Sequence, residues 1–128
     1  MTEIAGGIAL CAERSGALPA STAKVPASLA AVAAQMYQSR LTDWDDPAFM
    51  CGGFHMRRPQ YFQYQWVRAA DGEEGIVQAD ADLDGDGLVD HTVRLAVRCE
   101  HQAGALRCRP DPMPTAPPGR TFTTDFLE

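Results

Sequence analysis

The chain has 128 residues, 45% of them hydrophobic, and a formal net charge of −6. That length is one domain's worth, able to bury about two thirds of its unfolded surface around a single core. The negative balance argues against nucleic acid or an anionic membrane as partner, and no apolar run of about 18 residues is present to span a bilayer.

Residues 2–15 read as a helix. Ile4, Ile8 and Cys11 recur at spacings of three and four, and Thr2 is a candidate cap. Gly6 and Gly7 each weaken it by roughly 1 kcal/mol relative to Ala. So short a helix is not stable alone; it must pack on a sheet or be the end of a longer helix. Met1 leads straight into it with no signal-peptide pattern, which reads as an expression start with an upstream segment removed. Gly16 is a C-cap candidate, and Pro19 and Pro26 break the connection that follows. A second helix is expected from Ser28 to about Arg40, with Leu29, Val32, Ala33 and Met36 on one face. Residues 41–59 form an irregular stretch. It holds Trp44, Phe49, Phe54 and Met56, too apolar for a solvated loop, so it should fold back on the body with Cys51 as a pin.

The strands come next. Residues 60–69, QYFQYQWVRA, put Phe62, Tyr64 and Trp66 on one face and Tyr61, Gln63, Gln65 and Val67 on the other. Asp71-Gly72 turns the chain into residues 75–83, where Val77, Ala79, Ala81 and Leu83 share a face. In residues 88–99 the shared face is Val89, Val93, Leu95, Val97 and Cys99. This period of two belongs to half-buried antiparallel strands. Asp84-Gly85-Asp86-Gly87 supplies a tight hairpin turn between them. Residues 99–108 form a further hairpin turning at Ala103-Gly104. The expected fold is therefore α+β: an N-terminal helix packed on a three- to four-stranded antiparallel meander, with long disulfide-tied loops. From Arg109 onward the tail holds five of the nine prolines and is expected to be extended, with Phe122, Phe126 and Leu127 as docking candidates.

Four cysteines, Cys11, Cys51, Cys99 and Cys108, form no CxxC pair, so zinc is disfavoured. Their even number suggests two disulfides and an oxidising compartment; the alternative is four separate buried thiols. Four cysteines allow three pairings. Cys99 and Cys108 fall opposite each other in a hairpin, where unbonded pairs have Cα atoms about 4.5 Å apart. The expected bridges are therefore Cys99–Cys108 and, by remainder, Cys11–Cys51. The loop-entropy argument gives them about 3 and about 4 kcal/mol.

Eight of the 17 acids fall between Asp71 and Asp90, and the sharpest motif lies among them. Asp82, Asp84 and Asp86, with Gly87 at the sixth position, match the start of a calcium loop. The twelfth position is Val93 rather than Glu, and strands replace the flanking helices, so an EF-hand is rejected. Asp82, Asp84, Asp86 and Asp90 remain candidate ligands for calcium in a β-turn. The competing reading is a solvated turn whose Asp and Gly serve backbone geometry. Repulsion between close carboxylates favours a cation. His55, His91 and His101 are isolated, His91 falling where a half-buried residue is expected. No GxSxG, HExxH, P-loop or GxGxxG motif is present, so a non-enzymatic protein is expected. The aromatic strand at 61–66 suits base stacking, but its acidic neighbourhood disfavours nucleic acid.

In order, Trp44-Asp45, then Pro59-Gln60-Tyr61-Phe62-Gln63-Tyr64, then Ala81-Asp82-Leu83-Asp84-Gly85-Asp86-Gly87 resemble the globular domain of type IV pilins and pilin-like proteins of Gram-negative bacteria. The resemblance covers roughly residues 40–98. It implies a long N-terminal helix on an antiparallel sheet and a C-terminal region closed by a disulfide, which Cys99–Cys108 fits. It also implies a structural subunit, a minor pilin or a pseudopilin of a secretion machine, serving filament assembly, adhesion or motility. Its partners would be other pilin subunits and a tip adhesin. It would sit in the inner membrane and periplasm before assembly and in an extracellular filament afterwards. Membrane attachment would come only through the family's apolar N-terminal half-helix, which this sequence lacks. The Cys11–Cys51 bridge is not a feature of every member.

Overall fold

The computed structural model describes residues 1–112. Its first element, α1 (Thr2–Ser15), buries Ile4, Ala5, Ile8, Ala9, Cys11 and Ala12 on one side. Thr2 lies inside the helix rather than capping it: the N-cap is Met1, which makes no side-chain cap bond. Gly16 closes the other end at φ 87°, its N–H donating to the Ala12 carbonyl. The buried stripe joins one core with Trp66, Val77, Leu95 and Val97.

Those four residues sit on an antiparallel meander of four strands in the order β1-β2-β3-β4. The strands are β1 (Gln63–Arg68), β2 (Glu74–Ala81), β3 (His91–Gln102) and β4 (Ala105–Pro112). Trp66 pairs with Val77 and Val77 with Leu95, so the core face runs straight across three strands. The expected α+β plan is present, with four strands. The boundaries shift: β3 starts at His91 rather than residue 88, and Leu88 is exposed. Arg109–Pro112 belong to β4 instead of opening an extended tail. The expected docking of Phe122, Phe126 and Leu127 lies outside the described residues.

β2 is buried on both faces, not on one. Ile76 and, at the margin, Asp80 are buried along with Val77, Ala79 and Ala81, as is Asp82 just past the strand. The 3-10 turn Leu29–Val32 packs against β2, and Asp80 is answered by the Thr92 hydroxyl at 2.7 Å and the Gln78 amide at 3.0 Å. Residues 28–40 therefore do not form the expected helix. Ser28 caps the 3-10 turn as a Ser should, accepting from the Ala30 N–H. Beyond it, the Ala34 N–H donates to the Asp82 carbonyl and Tyr37 and Gln60 exchange backbone bonds. Those donors are committed to carbonyls just outside β1 and β2 and cannot bond back four residues within a helix.

Residues 41–59 fold back on the body as expected, though not without structure. They contain a 3-10 turn, Leu41–Trp44, and a short helix, α2 (Pro47–Cys51), with Pro at its start. Trp44 and Phe49 are buried edge to face at 4.9 Å, with Phe54 at 5.1 Å from Trp44. The Trp44 indole N–H donates to Ser39 Oγ. Cys51 is pinned to α1 by the Cys11–Cys51 disulfide, and the second bridge is Cys99–Cys108.

Gly7 has a use that outweighs its helix cost. A Cβ there would stand 2.6 Å from the Gly52 carbonyl oxygen, so α1 and the end of α2 meet backbone to backbone beside the disulfide. Gly6 faces open space. Gly6→Ala should therefore raise stability by about 0.5–1 kcal/mol. Gly7→Ala should lower it by about 1–3 kcal/mol through overpacking. Thermal melts of the two variants check this; shifts of the same sign would refute the close-contact argument.

Candidate functional site

The acidic loop joins β2 to β3. The Ala81–His91 pair closes its base, with the Asp90 N–H donating to the Ala81 carbonyl at 2.9 Å. It is wider than the tight turn expected at residues 84–87. Asp82 organises it. This carboxylate is fully buried, and its two oxygens accept from the N–H groups of Gly85 at 3.0 Å and Gly87 at 2.9 Å. Both glycines have positive φ, 78° and 88°, which lets the chain curl around the carboxylate. Asp84 accepts from the Asp86 N–H and Asp86 from the Leu88 N–H, each a side chain closing its own short turn.

Asp82, Asp84 and Asp86 each present one oxygen, and the three lie within 4.8 Å of one another. Asp90 stands apart from this group. Its Oδ2 accepts from the Leu83 and Asp84 N–H groups, and its Oδ1 lies 3.6 Å from His91 Nδ1. Three of the four expected ligands thus converge, while Asp90 clasps the start of the loop. Three carboxylate oxygens are fewer than the six to eight that calcium takes, so water or backbone carbonyls would have to complete a shell.

Burial raises the Asp82 carboxyl, but the N–H groups of Gly87, Gly85 and Asp86 and the hydrogen bond with Asp84 outweigh it, leaving it below the ordinary value. Asp84 runs the other way. The Asp86 N–H lowers it, yet burial, the hydrogen bond with Asp82 and the charge of Asp86 together raise it.

A second feature escaped the sequence reading. A cleft of about 450 Å³ lies at the far end of β3, lined by Asp71, Glu73, Glu74, Glu100, Arg98, Arg107 and Arg109 among others. Arg98 is held between Glu74 at 2.6 Å and Asp111 at 2.7 Å. Four acids face three arginines, so the cleft has no strong field of one sign. Only the strand register brings these residues together; nothing in their spacing along the chain announced it. His55 and His101 join neither site, and His91, at the base of the acidic loop beside Asp90, is exposed rather than half-buried.

Compared with known protein families, curated proteins and solved structures, the chain matches none.

The opposed shifts in the acidic loop give a pH prediction. Asp82, depressed, contributes stability above the ordinary carboxylate pKa near 4 that is lost as pH falls through its lower folded value. Asp84, raised, contributes below the ordinary value and loses that contribution as pH rises through its folded pKa. On acidification, carboxyl NMR should show Asp84 taking a proton before Asp82. The reverse order would mean that the backbone donors do not hold Asp82 ionised.

Proposed function

We propose that this chain is the globular domain of a type IV pilin-like protein, a minor pilin serving as a structural subunit of a filament in assembly, adhesion or motility. One observation carries the reading. α1 lays its buried stripe on a four-stranded antiparallel meander, and the last hairpin is closed by Cys99–Cys108. The resemblance implies a long N-terminal helix in this place, and on this reading α1, with 14 residues, is its end. Of the residues behind the resemblance, Trp44 lies in the core, residues 60–64 lead into β1 and residues 81–87 leave β2. On this reading the partners are other subunits and a tip adhesin. The route runs from inner membrane and periplasm to an extracellular filament, and two disulfides suit that oxidising path. A pseudopilin of a type II secretion machine would share this plan and differ in where the native protein is found.

The deciding measurement is mass spectrometry of the protein from its native cells, on sheared surface filaments and on membranes. The expected mature chain carries a long apolar helix upstream of Thr2 with a methylated first residue. A native terminus near Thr2 would sink the pilin reading. Recovery in filaments rather than membranes separates a pilin from a pseudopilin.

The converging oxygens of Asp82, Asp84 and Asp86 favour a second reading, a calcium-dependent binding module. Micromolar-to-millimolar calcium should then raise the Tm, and Asp84→Ala should abolish the rise. A Tm indifferent to calcium removes this reading and leaves the first untouched.

A further inference from the structure

Among the described residues the sheet ends at β1 and at β4, and the two edges differ. At β1 the chain closes its own edge. Thr22 and Trp66, and Val25 and Tyr64, are joined by backbone bonds, while the Ser21 and Thr22 hydroxyls accept from the N–H groups of Arg68 and Trp66. At β4 the register decides which backbone groups face outward. The β3–β4 hairpin turns on Ala103 and Gly104, both with positive φ, 51° and 79°. In a two-residue turn of this kind the flanking residues, Gln102 and Ala105, form a hydrogen-bonded pair. Pairs then alternate along the ladder. Glu100–Arg107, Arg98–Arg109 and Ala96–Asp111 are bonded; His101–Leu106, Cys99–Cys108, Val97–Pro110 and Leu95–Pro112 are not. The Cα separation of 4.1 Å at Cys99–Cys108 agrees with an unbonded pair.

At the unbonded positions of β4 the backbone groups point away from β3, along the outer edge of the sheet. Two of these positions, Pro110 and Pro112, have no N–H. At a third, the Cys108 N–H donates to the Glu13 carboxylate at 2.9 Å, reaching across from the last turn of α1. Leu106 is the remaining donor on this edge. A strand laid against β4 needs an N–H at each alternate position and would find one in four.

We propose that the outer edge of β4 is built to refuse strand addition: Pro110, Pro112 and the Glu13-capped Cys108 N–H together bar a second copy of this chain from extending the sheet. Edge prolines and a committed donor are the means by which an exposed edge is blunted. The inference stands independently of the filament reading; within a filament it confines contacts between copies to side-chain surfaces.

The test restores the donors in Glu13→Ala/Pro110→Thr/Pro112→Thr. Mass is read by light scattering on a sizing column, and exchange at the amides of residues 106, 108, 110 and 112 by NMR. The original chain should run at its monomer mass of 13.9 kDa. The variant should double that mass and show the amides of residues 106, 108, 110 and 112 protected at least about tenfold over an unstructured chain, the Leu106 amide also exchanging more slowly than in the original. A variant that keeps the near-UV circular dichroism of the original yet stays monomeric overturns the proposal. So does an original chain that dimerises with its Leu106 amide protected. Should the triple variant fail to fold, Glu13→Lys/Pro110→Thr/Pro112→Thr, which keeps a helix-favouring side chain but no acceptor in the last turn of α1, reads the same shift in mass, and a folded monomer there overturns the proposal equally.

Discussion

The contact between the apolar stripe of α1 and the row Trp66, Val77, Leu95 and Val97 is what the rest depends on. A helix of this length is marginal in water, and two adjacent glycines weaken it further. The sheet, for its part, exposes an apolar face unless something lies on it. Each element removes the other's cost, at about 25 cal/mol for each Å² of apolar surface withdrawn from water. Gly7 belongs to this contact: without a side chain it lets α1 approach Gly52, which sets where the Cys11–Cys51 bridge can close.

Around that contact the irregular segments are held by backbone hydrogen bonds rather than by regular structure of their own. Residues 21–25 lie along β1, residue 34 reaches the end of β2, and residue 37 pairs with residue 60. Buried backbone groups must find partners. Here the sheet supplies partners to stretches that would otherwise coil into helix or remain solvated. α1 also ties both bridges down at its last turn, Glu13 to the Cys108 N–H and Arg14 to the Cys51 carbonyl.

The acidic loop obeys the same accounting. Its carboxylates are occupied first with the N–H groups of their own turn, and the three that converge do so because the chain curls around Asp82. The turn-forming and cation-binding readings of this motif are therefore not exclusive. Geometry that satisfies the backbone also gathers three oxygens, and any ion would add to a loop already closed by Asp90.

Much was legible in the residues alone, and for a physical reason: it was local. Period-two alternation marked β1 to β3, the Ala103-Gly104 turn placed Cys99 opposite Cys108, and that bridge left Cys11 to Cys51. Spacing also marked Asp82, Asp84 and Asp86 as a group. Where residues decide their own conformation through alternation, turn chemistry or covalent reach, sequence suffices. It did not suffice where distant partners competed for the same groups. The alanines at 30–34 favour helix, but the Asp82 and Gln60 carbonyls took the N–H groups of Ala34 and Tyr37. Asp90 matched a ligand position, yet the loop's curvature turned it onto backbone donors. Burial of both faces of β2, the charged cleft beyond β3 and the outward prolines of β4 follow from register and packing across the chain. Those were decided only when the tertiary structure brought the pieces together.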